Sequence, residues 1–422
     1  MSLYTATGAG QNVDGKEASL EATRQALDRL GKAFPALALV FTSSEFPAQE
    51  VLAGVTTLLG STPVLGISTR QTLAENCYLP RAVAVTLIGG DDIKAQAGWF
   101  PGYATDSQLV ASQRLMDFLD TPAPTPVRRL DPMRTRPLKE FLAAEKARDE
   151  SAVPLLFLGL DGLGGNAELV CTALNGRKLA VAGCLSGGKA AQDAGYQIAG
   201  NQAGAGGLAA ALLSGSFQIG MGSAHGWQAI GPGYTITSTE GRRILGLDGN
   251  SPALVYSQVL GHTLHEWVTS PLNELIRLYP LGIDNGNSTG WVVRSPIKVE
   301  SDGSLLMNAP VHEGSIAYLL VGSAPSCLEA AQAAARQAMA ALSPAQPALA
   351  LVFADAAWQW LMEPEGYPDL QAIRSVIGKE VPLAGGYSYG QLARTDGNGP
   401  LTLLNQHITI ILLGSQPNPV FH

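Results

Sequence analysis

Residues 386–390 read Gly-Tyr-Ser-Tyr-Gly, a literal match to G-x-S-x-G, and Asp396 and His407 follow in the chain order of an α/β-hydrolase triad. The surroundings argue against that chemistry. A nucleophile elbow needs a helix directly after its serine, whereas residues 391–400 (QLARTDGNGP) are rich in turn formers, and the span from Ser388 to His407 is short for a triad layout. Cys184, between Gly183 and Leu185, becomes a candidate nucleophile if a histidine such as His225 stands within hydrogen-bond reach; the competing reading is a buried, inert thiol at the end of an apolar strand. His262 and His265 lie three apart on an expected helix and would share a face. They complete no zinc pattern, so no metal site is expected and they are read as polar-face residues. Arg294 follows Trp291, Val292 and Val293 in an expected strand, where a guanidinium must be matched: either a structural ion pair or a bidentate grip on a ligand carboxylate.

Three glycine turns offer chemistry of another kind: residues 66–70, 183–188 and 385–390. Each follows an apolar run, and ligands of α/β sheets bind outside the carboxyl ends of the strands. Backbone N–H groups beside Ser68, Thr69, Ser186, Tyr387 and Ser388 could hold a carboxylate or another anion. The plainer reading is that glycine only lets the chain turn. Trp227, Trp358 and Trp360 could line a pocket, although buried packing explains each of them as well. No Walker A sequence occurs, and the glycines between 200 and 207 lack G-x-G-x-x-G spacing after a strand, so no nucleotide cofactor is expected.

The elements that must position these turns recur along the chain. The run 36–41 (ALALVF) precedes a helix-like stretch, then 63–69 (PVLGIST), then 81–88 (RAVAVTLI). The same order returns as 154–158, helical 167–174, 179–188 and 206–213, and again as 348–353 (ALALVF), helical 370–377, 381–390 and 408–413. Apolar runs joined through a helix read as parallel strands buried on both faces, and the third run, reached through a turn-rich loop, should pair antiparallel. The expected fold class is therefore α/β: repeated strand-helix-strand-strand units forming mixed sheets, in two modules. A divergent, strand-rich segment runs through 234–238, 291–297 and 314–321, and an alanine-rich helix is expected over 326–342. Residues 121–137, rich in proline, read as an exposed connection. The turn residues at 246–251 mark a boundary before an expected helix over 252–265.

Composition limits the function classes. Charged residues are only 15% of 422, so much of the chain must be buried. A net charge of −8 with no basic run excludes a polyanion footprint, and nucleic acid is not an expected partner. Residues 1–15 lack a basic start and an apolar stretch, and no run reaches a membrane span, so a cytoplasmic protein with no membrane partner is expected. The four cysteines form no C-x-x-C pair and are expected to be reduced.

Residues 226–260 (GWQAIGPGYTITSTEGRRILGLDGNSPALVYSQVL) resemble the junction of FIST proteins, where N- and C-terminal modules meet around a similar Leu-Asp-Gly turn. PLGI at 280–283, VVR at 292–294, GSL at 303–305 and GGYSYGQL at 385–392 join the resemblance, as do DGLGGN at 161–166 and AGCLSGG at 182–188. It covers about residues 30–413, with modules at 30–249 and 250–414. What it implies is a sensory module for small ligands, amino acids among the candidates, coupled to a separate signalling protein, with no known chemistry. The sequence departs from the usual pattern at Arg70 and Gln71, where many members have Gly-Glu, and at Gln391, where glutamate is usual. It departs again at residues 353–358 (FADAAW), where Phe-Ser-Cys-x-Gly-Arg is common. Together these readings name Ser68, Thr69, Arg70, Asp161, Asn166, Cys184, Ser186, His225, Arg294, Tyr387, Ser388 and Tyr389 as ligand-binding candidates for a non-catalytic sensor. The alternative is a hydrolase or transferase using Cys184 or Ser388.

Overall fold

The computed structural model describes residues 3–90, 92–121, 153–189, 193–269, 272–284, 291–362, 367–394 and 399–415. Three six-stranded sheets share one strand order. The first runs Tyr4–Gly10, Val83–Gly89, Pro35–Ser43, Val64–Thr69, then a hairpin of Gln197–Ala199 and Gln202–Gly204. The second runs Lys94–Phe100, Leu208–Ser214, Leu155–Asp161, Ala180–Ser186, then a hairpin of Gln391–Arg394 and Leu401–Leu404. The third runs Gln218–Ala224, Ile408–Ser415, Gln346–Asp355, Leu383–Ser388, then a hairpin of Thr72–Ala74 and Cys77–Leu79. In each, the two central strands are parallel and the next strand pairs antiparallel with the first of them, so the sheets are mixed as expected.

The hairpins are exchanged in a ring. The stretch after Thr69 completes the third sheet, the stretch after Ser186 completes the first, and the stretch after Ser388 completes the second. Strands from both sides of residues 249 and 250 thus lie in one sheet, since the third sheet joins Thr72–Ala74 and Gln218–Ala224 to strands beyond Gln346. The inner faces of the three sheets meet in a common apolar centre that includes Phe41, Ile67, Phe157, Cys184, Phe353 and Ile411.

Glycine and alanine account for the close fit of helices to outer strands. Helix Gly15–Leu30 lies on Tyr4–Gly10, and helix Ala324–Leu342 lies on Gln218–Ala224. A Cβ at Gly10 would stand 2.0 Å from the Ala18 carbonyl oxygen, and one at Gly222 would stand 2.1 Å from that of Ala334. Backbone thus packs on backbone, which explains an alanine-rich helix with Ala331, Ala334, Ala335 and Ala338 fully buried.

Between Ala224 and Ala324 the chain builds a fourth, all-antiparallel sheet in the order Val292–Arg294, Leu281–Asp284, Ile316–Val321, Gln228–Glu240, Arg243–Leu247, Leu305–Met307, Pro296–Val299. The expected helix over 252–265 is interrupted. Helix Pro252–Leu260 ends at Gly261, which takes a left-handed φ of +82°, and a new helix, Leu264–Trp267, starts under a Thr263–Glu266 capping box. His262 lies in the break beside Glu266 at 3.9 Å, so the two histidines do not share a helix face. Apart from Thr121, residues 121–137 lie outside the described residues, and so does Asp396. No helix among the described residues is long and apolar enough to cross a membrane.

The hairpin imported by the third sheet is tied down by a buried acid. The Tyr78 hydroxyl donates to Asp369 Oδ2 at 2.9 Å, the Tyr387 hydroxyl lies 3.3 Å from the same oxygen, and the two rings stack at 4.3 Å. Burial drives the Asp369 carboxyl above its ordinary range, against the opposing pull of the tyrosine hydroxyls. The unfolded chain loses this proton near pH 3.9, about the ordinary aspartate value. The folded chain holds it to higher pH, so stability falls between those two values and levels off above them.

Two outcomes are expected in urea unfolding. Gly222→Ala loses about 1–3 kcal/mol from overpacking against the alanine helix. Asp369→Asn, which does not titrate, gains stability relative to wild type as pH rises from about 4 through the folded-state pKa, and the gain then stays constant.

Candidate functional site

The ring of exchanged hairpins draws the three glycine turns together. The Gly187 N–H donates to the Ser68 carbonyl, and Ser68 Oγ donates to the Gly187 carbonyl at 3.1 Å. Leu185 donates to the carbonyl of Gly390, and Tyr389 donates to that of Leu185. Arg70 donates to the Tyr387 carbonyl at 2.9 Å and Tyr387 returns a bond to Gln71 at 3.1 Å. Each corner is thereby stitched to both of the others.

This stitching uses up groups that the sequence offers to an anion. The N–H groups of Ser68, Arg70, Gly187, Tyr387 and Tyr389 all donate to main-chain carbonyls. The hydroxyls are buried and engaged as well. Ser68 accepts from Tyr196 N–H, Thr69 lies 3.3 Å from Thr72 Oγ1, Ser186 accepts from Gln197 Nε2 at 2.6 Å, and Ser388 accepts from Gln391 Nε2 at 2.9 Å. The corners form a closed polar knot rather than an open nest.

Beside this knot lies a polar seam where the fourth sheet meets the three-sheet body. Arg277, on the 3₁₀ turn Ile276–Leu278, is 1% exposed and reaches Asp355 at 3.3 Å, with its guanidinium carbon 5.0 Å from the Tyr389 ring centroid. Asp355 also accepts from the N–H groups of Ala357 and Gln406. Gln406 takes a left-handed φ of +63°, unusual for its residue type. Its carbonyl accepts the indole N–H of both Trp227 and Trp358, and its side-chain nitrogen donates to the Arg277 carbonyl and to Ser295 Oγ. Trp227 and Trp358 are therefore packing residues with polar anchors, while Trp360 lies half-buried under the Arg70 guanidinium, 5.1 Å from its ring centroid. Arg70 also donates to Gln359 Oε1 at 2.6 Å and to the Lys189 carbonyl.

The remaining candidates take local roles. Asp161 accepts from the N–H groups of Leu163, Gly164 and Gly206, and Asn166 caps helix Ala167–Leu174 through Glu168 N–H. Arg294 pairs with Glu168 and donates to the Leu403 carbonyl at 2.9 Å, which is the ion-pair arrangement. His225 packs edge-on against His407 at 4.8 Å and accepts from Trp227 N–H; it shares no hydrogen bond with Cys184 among the described residues. Burial, aided by the neighbouring His225, pulls His407 down to about 3. Cys184 is fully buried in the apolar centre and burial drives its thiol far above the ordinary value, a setting that suppresses thiolate chemistry. After Ser388 the chain continues into strand Gln391–Arg394, not the helix of a nucleophile elbow.

Sequence reasoning missed Arg277, Gln391 as a site member, Asn405 and Gln406. Arg277 sits in LNELIRLYP, which reads as an ordinary partly polar helix; only the docking of the fourth sheet buries it.

A three-sheet α/β body with an inserted antiparallel sheet, and a buried polar junction between them, is the architecture in hand. The FIST N domain matches residues 36–250 and the FIST C domain matches residues 252–394, so the chain belongs to the FIST family, whose domains are associated with sensory signal transduction. No curated protein matches the chain.

The Arg277–Asp355 pair makes a testable demand. Arg277→Met strands a buried carboxylate and is expected to lose about 3–5 kcal/mol, whereas Arg277→Met with Asp355→Asn, which removes the charge and keeps an acceptor for the main-chain N–H groups, recovers part of that loss. A double-mutant cycle in urea measures both.

Proposed function

We infer that this chain is a sensor that binds a small polar metabolite at the junction of the fourth sheet and the three corners, and passes the event to a separate signalling protein. The observation that carries the reading is the convergence of the corner at 387–391 with Arg277, Asn405 and Gln406, residues from the FIST C domain and from the turn that follows it, beside Trp227 of the FIST N domain on the Gln406 carbonyl. A ligand there would touch the groups that hold the inserted sheet to the body, and differential contact of that kind is what a conformational signal requires. Modules 30–249 and 250–414 act together in this scheme. Amino acids belong in the first panel of candidate ligands because the resemblance implies them.

Cys184 or Ser388 acting as a nucleophile is the weaker reading. A thiol suppressed by burial, and a serine hydroxyl bonded to an amide, lack the adjacent base that nucleophilic catalysis needs.

The test is thermal unfolding against a panel of amino acids and other small metabolites. A ligand at 100 times its Kd should stabilise the chain by about 2.7 kcal/mol. Arg277→Met with Asp355→Asn should lose that shift. A flat response across a broad panel would end the sensor reading.

A further inference from the structure

Among the described residues, twelve buried side-chain polar atoms make no hydrogen bond, and seven of them belong to Arg277, Asn308, Gln391, Asn405 and Gln406. Native interiors leave few such atoms, and each needs an explanation. Here most of them adjoin one seam. Gln391 is held through Nε2 by Ser388, which leaves Oε1 open. Asn405 has both amide atoms open and stands where a Cβ on Gly390 would come within 2.8 Å of its nitrogen. Gln406 and Arg277 share Asp355, leaving Oε1 of one and Nε of the other open. Asn308 joins them through its N–H bond to the Ser295 carbonyl, and the neighbouring Ala309 packs in one cluster with Tyr389 and Ala356.

The chemistry of these open ends is specific. Amides supply both donors and acceptors, and exchanging the two ends of Asn405 leaves the same complement. Arg277 is the charged group among them and is already balanced by Asp355, with side chains 2% and 0% exposed; the nearby Arg294 is balanced by Glu168, and Arg70, beside Tyr389, spends its guanidinium on Gln359 and the Lys189 carbonyl. A ligand bringing net charge would add an unmatched ion among buried amides whose nearest guanidiniums, Arg277 and Arg294, already have carboxylate partners. We propose that the seam binds an uncharged small molecule carrying a carboxamide, lactam or ureide group. The ligand's N–H donates to the open oxygens of Gln391 and Gln406, and its carbonyl accepts from Asn405 Nδ2 and Arg277 Nε. This assignment rests on the sensor reading and narrows its ligand class.

Propionamide and pyrrolidin-2-one serve as amide probes, with propionate and glycine as charged and zwitterionic counterparts, read by ligand-observed NMR and melting curves on the full chain. The amides are expected to bind and raise the melting temperature, while propionate and glycine do not. Asn405→Leu breaks no hydrogen bond among the described residues, so it is expected to melt about 1–3 °C higher than wild type and to lose amide affinity at least tenfold. If Asn405→Leu fails to fold, Gln391→Met supplies the same binding readout. A lower melting temperature for folded Asn405→Leu would mean that structural water already satisfies the amide, and overturns the proposal. Failure of both amides to bind also overturns it; if glycine or propionate binds in that case, the sensor reading survives without this ligand class.

Discussion

No sheet of the three-sheet body can be completed from its own stretch of chain, because each exports the hairpin that follows its second parallel strand and imports one from a neighbour. That cyclic exchange is the constraint on which the remaining structure depends. A strand edge left open is a row of unpaired donors and acceptors, so each sheet needs the others in place before its own edge is covered. The crossings from one sheet to the next occur at Thr69, Ser186 and Ser388, which forces the three corners into contact and fixes their mutual backbone bonds. Their hydroxyls are consumed in that stitching. The corners are the frame of the proposed site, and the buried amides without a partner lie one step away.

That step leads to Gln406. One residue gathers two indole donors on its carbonyl, one carboxylate on its N–H, and both Arg277 and Ser295 on its side-chain nitrogen. Its left-handed backbone is tolerated only because so many partners hold it. The inserted sheet is thereby anchored to the body through polar contacts beside an apolar cluster of Val293, Leu320, Trp227 and Ala357. Polar contacts are more easily re-formed than apolar packing, which suits the joint that the proposed function requires.

The parts of the fold legible in the sequence are those that announce themselves by composition. Apolar runs such as ALALVF at 36–41 and 348–353 are buried on both faces and read as central parallel strands. The edge strand at 4–10 (YTATGAG) and its counterpart at 218–224 (QIGMGSA) carry no such signal, since their glycines serve helix contact rather than strand propensity. The exchanged hairpins, with strands as short as Thr72–Ala74 and Gln197–Ala199, read as turn-rich loops because only pairing with a distant sheet makes them strands. The site divides in the same way. Ser68, Ser186 and Ser388 were visible as glycine-flanked hydroxyls, but nothing local distinguishes Arg277 or Asn405 from a surface polar residue. Their burial is a tertiary fact.

The departures from the usual family run also find a physical place. Where Phe-Ser-Cys-x-Gly-Arg would put a thiol and a guanidinium, this chain has Asp355 and Trp358. The acid neutralises Arg277 and accepts the N–H of Gln406, while the indole donates to the Gln406 carbonyl. Both replacements therefore act on the same hub, one through charge and one through a neutral hydrogen bond. A guanidinium at 358 would instead place a second cation beside Gln406, and the seam could then favour an anion. With Asp355 and Trp358 the Arg277 charge is matched within the chain, and in the proposed sensor recognition at this junction is left to unpaired amides. On the proposed function, the same substitutions that remove the family's thiol shift the seam from charge-directed to hydrogen-bond-directed selectivity.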